Sequence, residues 1–132
     1  MSTDNLKDAL DLAQKLRHLF VATSGKEGLP HIAAAARIEI APSGLLAVTS
    51  WFCPQTVANL EDNKRVSLVV WDQNRDIGFQ LLGEAENILE VGYLDEFVPE
   101  LEFEKKISHV QRQLLVRVDK IIEFRHAPHS DL

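Results

Sequence analysis

The stretch "LLAVTSWFCPQTVANLEDNKRVSLVVWD" (45–72) decides how the rest of the chain reads. It opens on a strand-like run, "LLAVTS" (45–50), and passes through Trp51, Phe52, Cys53 and Pro54. "TVANLEDN" (56–63) then predicts a short helix. "RVSLVVWD" (65–72) is almost continuously apolar, as expected of a strand covered on both faces. Two bulky aromatics and a lone cysteine are more than a strand-to-helix junction requires, which makes this segment a candidate ligand lip.

Towards the N-terminus, "DNLKDALDLAQKLR" (4–17) places Leu6, Leu10, Ala13 and Leu16 at helical spacing, behind Thr3 or Asp4 as a candidate cap. "HLFVATS" (18–24), the turn "GKEG" (25–28) and "LPHIAAAARIEI" (29–40) predict a hairpin, and "APSG" (41–44) turns the chain into "LLAVTS". Ala33 to Ala36 favour helix by intrinsic propensity. The flanking turns and the alternation of "ARIEI" argue for strand, whose small side chains leave a flat surface for a second backbone or a planar ligand. Beyond the turn "QNRD" (73–76), "IGFQLLGEAENILE" (77–90) predicts a strand with bends or bulges at Gly78 and Gly83. A broken helix is expected over 91–110, with Pro99 interrupting Leu94, Phe97, Val98, Leu101 and Phe103. "QLLVRVDKIIEF" (113–124) predicts a last strand before a frayed tail, "RHAPHSDL". Six strands joined mostly by short turns describe a mainly β protein, a small antiparallel barrel whose own side chains fill it. A sizeable ligand would then sit at a rim or between subunits.

With 132 residues the chain suits one domain, spanning 1–132. A hydrophobic fraction of 45% and a charged fraction of 26% are those of an ordinary globular protein. The N-terminus lacks the basic-then-apolar order of a signal peptide and no apolar run reaches the ~20 residues of a membrane span, so a cytoplasmic protein is expected. Cys53 alone makes neither an internal disulfide nor a thiolate zinc cluster. The formal net charge of -6 and the short basic runs Lys64-Arg65 and Lys105-Lys106 argue against a nucleic-acid partner. No Ser/His/Asp order, Walker loop or close carboxylate pair points to a hydrolase or phosphotransferase.

The order of these pieces resembles the flavin-binding split-barrel family related to pyridoxamine 5'-phosphate oxidase, especially its small FMN-binding members. Family patterns of the form ATxxxxGxPH, K-T-x-x-N-L and RV correspond here to Ala22-Thr23 through Pro30-His31, to Gln55-Thr56-Val57-Ala58-Asn59-Leu60, and to Arg65-Val66. The resemblance covers about residues 18 to 90 and the closing strand. It implies a split barrel of Greek-key type, and a homodimer with FMN in a groove at the subunit interface. By the same resemblance the cofactor-binding residues are Ala34, Ala35, Thr49, Ser50, Trp51, Phe52, Gln55 and Thr56, with no metal site and catalytic residues left open. Electron transfer or flavin-dependent oxidoreduction is the implied activity. The true oxidases carry a longer C-terminal extension rich in basic and histidine residues, so pyridoxamine phosphate itself is not the expected substrate.

Unpaired N–H groups and the positive dipole end at the start of the short helix suit a phosphate, and Thr56 can add a donor or merely cap the helix. Gln55 stands where relatives often carry lysine, removing a charge and a charge-assisted hydrogen bond worth roughly 1.5–3 kcal/mol. Arg37, Lys64 or a partner-chain arginine are candidates to compensate. The alternative is a split-barrel dimer that has lost FMN and holds haem or a different flavin-like cofactor. Trp51 and Phe52 suit a flavin face or a dimer contact, and Trp71 a core or dimer contact. Cys53 reads as a small buried hydrophobe, His31 as a backbone-bonded turn residue, His126 and His129 as a solvated tail, and Arg37 and Arg117 as solvent-facing strand charges.

Overall fold

The computed structural model describes residues 3–50, 54–93 and 110–128. Helix α1 (Thr3–Leu16) packs on one seven-stranded antiparallel sheet, and a second helix, α2 (Pro54–Asp62), bridges two of its strands. The strands are β1 (Leu19–Ser24), β2 (Pro30–Ala35), β3 (Arg37–Ile40), β4 (Leu46–Ser50), β5 (Arg65–Asp72), β6 (Ile77–Tyr93) and β7 (Val110–Glu123). Their order across the sheet is β2-β1-β5-β6-β7-β4-β3.

Among the described residues the strand count is seven rather than six, because the predicted strand over 29–40 divides at Ala36. Its first half pairs with β1, and its second half pairs with β4 at the far edge of the sheet order. One bent segment thus supplies both edges, and the sheet curls on itself, which fits a split barrel. The alanines make the bend possible. Ala35 is buried, Ala36 is exposed, and neither has bulk to oppose the change of direction.

The core lies inside the curl. Val21, Leu68, Val48, Leu81, Leu114 and Val116 are fully buried, and the sheet register places them on the same inner face. α1 covers one end with Ala9, Leu10, Leu12 and Ala13, while Leu6 and Leu16 are partly buried against the same cluster. It ends at Arg17, which takes a left-handed φ of 63° and returns its N–H to Ala13 O at 2.8 Å. β5 is not covered equally on both faces. Val66, Leu68, Val70 and Asp72 are buried, whereas Ser67, Val69 and Trp71 are half-buried. The apolar run therefore has a packed inner face and a partly open outer one.

Gly83 does mark a bulge, since the β6–β7 register shifts between Leu82 and Gly83. Gly78 answers a different need: a Cβ there would come within 2.5 Å of Phe124 O and 2.7 Å of Val70 O. The tail is ordered further than expected. Asp76 accepts from the backbone N–H of His126 at 2.7 Å and of Ala127 at 2.9 Å, and also from Trp71 Nε1 at 3.0 Å. Trp71 stacks edge-on against Phe124 at 5.9 Å, so it anchors the end of the last strand rather than the core. Of the broken helix expected over 91–110, residues 91–93 continue β6 and Val110 begins β7 instead, while 94–109 lie outside the described residues, as do His129, Trp51, Phe52 and Cys53.

Candidate functional site

α2 is a short helix with acidic Glu61 and Asp62 in its last turn, a charge order its dipole disfavours. It is held by burial instead: Thr56, Asn59 and Leu60 face the sheet. It starts at Pro54, two residues earlier than the sequence pattern predicts, as suits proline's fixed φ. Its first turn contains no acidic side chain, as suits an anion at a helix start, although Glu27 and Asp62 line the cleft beside it.

The helix is fastened to β1 by a line of amides and hydroxyls. Gln55 Nε2 donates to Asn59 Oδ1 at 2.7 Å, and Asn59 Nδ2 donates to Thr23 Oγ1 at 3.1 Å. Asn63 Nδ2 donates to Ser24 Oγ at 3.1 Å, and Asn63 Oδ1 accepts from the Arg65 N–H at 3.1 Å. Thr23 and Asn59 are buried, which places this link in a low-dielectric setting where each satisfied hydrogen bond counts. Gly25 makes the close approach possible, because a Cβ on it would meet Asn59 Oδ1 at 2.5 Å.

The sequence-predicted residues fall in three places. Gln55 lies at the surface of the first turn of α2 and Thr56 is buried beneath it. Thr49 and Ser50 end β4, with Thr49 opposite Arg37 of β3 and Ser50 opposite Arg112 of β7. Ala34 faces outward beside Phe20, its partner on β1, whereas Ala35 turns into the core and offers a ligand its backbone alone. A cleft of about 460 Å³ between α2 and the β1–β2 turn is lined by Lys26, Leu29, His31, Gln55, Asn59 and Asp62 among others. Of the six predicted residues that are described, it contains Gln55 alone. A second, more open groove of about 700 Å³ runs over the outer sheet face past Ala22, Ser24, Arg65, Ser67, Leu82 and Glu84.

Sequence reading missed Arg112. Its side chain is 17% exposed, it lies opposite Ser50, and its nearest described carboxylate, Glu90, is 3.9 Å away. It lies between Gln111 and Gln113, just before the strand expected over 113–124, and nothing in its neighbours marks it as different from Arg117. The latter is a true surface charge, bound to Asp119, Glu84 and Glu86. Asp119 and Glu84 hold its guanidinium protonated beyond the ordinary arginine range. Arg37 and Lys64 are exposed. Among the described residues no group of three or more His, Cys, Asp or Glu is arranged to hold a metal, and no helix is long and apolar enough to cross a membrane.

Residues 5–122 match the family model described as pyridoxamine 5'-phosphate oxidase. An uncharacterized protein of Methanocaldococcus jannaschii is 32% identical over 78 residues, 58% of this chain, and the match spans about half (52%) of that relative's length. Among solved structures, an FMN-binding protein from Syntrophomonas wolfei superposes with a TM-score of 0.69 at 17% identity, covering 95% of this chain and 89% of that one. The heme storage protein HutZ from Vibrio cholerae gives 0.55 at 14% identity, with 91% and 92% covered. An F420 reductase gives 0.61 at 17% identity, with 84% and 93% covered. At these identities the likeness is one of fold.

Proposed function

Because the chain belongs to the pyridoxamine 5'-phosphate oxidase family, we propose that it is an FMN-binding split-barrel protein that serves in electron transfer or flavin-dependent oxidoreduction. The observation that carries this reading is the first turn of α2. Free of acidic residues and presenting the anchored amide of Gln55 at the surface, it is suited to a phosphate. Thr49 and Ser50 end the strand that leads into this turn, and Arg112, in register with Ser50 on β7, is the cation proposed to replace the missing lysine. Bound flavin would supply the electron chemistry itself, while the protein orients the ring and bonds its polar edge.

The site is proposed to be completed by a second copy of the chain. On the outer face of the sheet Phe20, Ile32, Ala22, Ala34 and Val69 form a contiguous apolar strip, with Ile32 67% and Phe20 39% exposed. A strip of this kind marks an interface more often than free surface.

The second reading, haem or a different flavin-like cofactor in place of FMN, is favoured by Gln55, which removes the lysine charge expected at a phosphate. The test is the visible spectrum of the purified protein, followed by fluorescence-quenching titrations with FMN and with riboflavin. Tight FMN and much weaker riboflavin binding support the first reading. Failure to bind either, with spectral change on adding haemin or F420, supports the second.

A further inference from the structure

Asn59 is spent on joining two other side chains. At 4% exposed, it accepts from Gln55 Nε2 at 2.7 Å and donates to Thr23 Oγ1 at 3.1 Å. Thr23 belongs to β1, which is paired on one side to β2 and on the other to β5, so this end of the link cannot move without disturbing the sheet. Gln55 is the exposed end. The link is therefore a strut from the rigid sheet to one surface amide, and Gly25 leaves room for it by lacking a Cβ.

Resting on the FMN reading above, we propose that Asn59 is a positioning residue for the phosphate rim, fixing the carboxamide of Gln55 before the ligand arrives. A long, exposed side chain at a helix start samples several rotamers, and ordering it on binding weakens the complex. Where a lysine would attract phosphate by charge, a neutral amide does so by being held in place. The strut touches the tail end of the ligand, so it affects the preference for FMN over riboflavin and leaves the affinity for the isoalloxazine unchanged.

The test is a double-mutant cycle on the ratio of riboflavin to FMN dissociation constants, with Asn59→Ala, Gln55→Ala and both together. Asn59→Ala is expected to lower the ratio roughly three- to tenfold, the scale of one immobilised side chain, and to have no further effect once Gln55 is alanine. An equal loss for both flavins, or a change of ratio that persists in the Gln55→Ala background, overturns the proposal. Thr23→Val cuts the strut at its other end, in case Asn59→Ala does not fold. NMR of the ligand-free protein tests the positioning apart from flavin: the Gln55 side-chain amide is expected to be ordered in the parent and mobile in either variant. Equal mobility in the parent overturns it. A parent that binds neither flavin overturns the FMN reading and the strut's ligand role with it, while the amide signal still decides whether Asn59 holds Gln55.

Discussion

Gly25 and Asn59 meet so closely that a β-carbon on the glycine would stand 2.5 Å from Asn59 Oδ1. The strut between α2 and β1 thus depends on a missing side chain as much as on those present. In Gly25→Ala the amide must shift, and it is tied to Gln55 and Thr23 at 2.7 and 3.1 Å. The expected cost is about 1–3 kcal/mol in urea unfolding, the range of overpacked sites. FMN binding should weaken more than riboflavin binding, because the displaced amide is the one that holds Gln55.

Gly83 is constrained by backbone instead. A Cβ there would overlap the carbonyl of Arg117 across the β6–β7 bulge, and no side-chain rotamer can relieve that clash. Gly83→Ala should therefore destabilise by about 2–3 kcal/mol or more, read as a lowered Tm. Gly28→Ala provides a control of another kind: nothing lies within 4 Å of its Cβ position, and its φ of 79° makes the cost one of backbone strain in the turn.

The element order of this fold was legible because turn residues and periodicity agree over most of the chain. "GKEG" and "APSG" are turns, and Leu68 and Val70 mark a buried strand. The division at Ala36 was not, since a strand that bends from one sheet edge to the other has the same local pattern as one that runs straight. Neither was the latched tail. Asp76 reaches His126 across fifty positions, and no local signal announces a partner so distant in sequence. At the site, Gln55 and Thr56 could be named from the resemblance, but their unequal exposure came from the helix packing. Arg112 escaped notice because its burial is decided by the pairing of β7 with β4.

The apolar strip on the outer sheet face predicts an oligomer whose strength lies in Phe20 and Ile32. Phe20 faces Ala34 and Val69 across the ladders, and Ile32 faces Ala22. Phe20→Glu with Ile32→Glu places two charges on that strip without touching the inner core. Sedimentation should show a dimer in the parent and a folded monomer in the variant, and FMN affinity should fall with dimerisation if the groove needs both protomers. A parent that sediments as a monomer at high concentration would refute the interface.

Asp76 predicts a local acid transition. Its carboxyl is lowered from its ordinary 3.8 to about 2, chiefly by the N–H of His126, then by those of Ala127 and the Trp71 indole. It accepts these bonds with a left-handed φ of 53°, a conformation that aspartate tolerates better than most residues. A folded-state pKa below the unfolded one means that the latch contributes fully above the unfolded value. That contribution is lost as the pH falls from near 3.8 through about 2. The amide shifts of His126 and Ala127 and the Trp71 indole signal should accordingly be flat from neutral pH down to that window and then move together. In Asp76→Asn one acceptor oxygen remains and the charge is gone, so the three signals should sit near their released positions at every pH. Movement of the three in the variant with the same midpoint as the parent would mean that another group controls the tail.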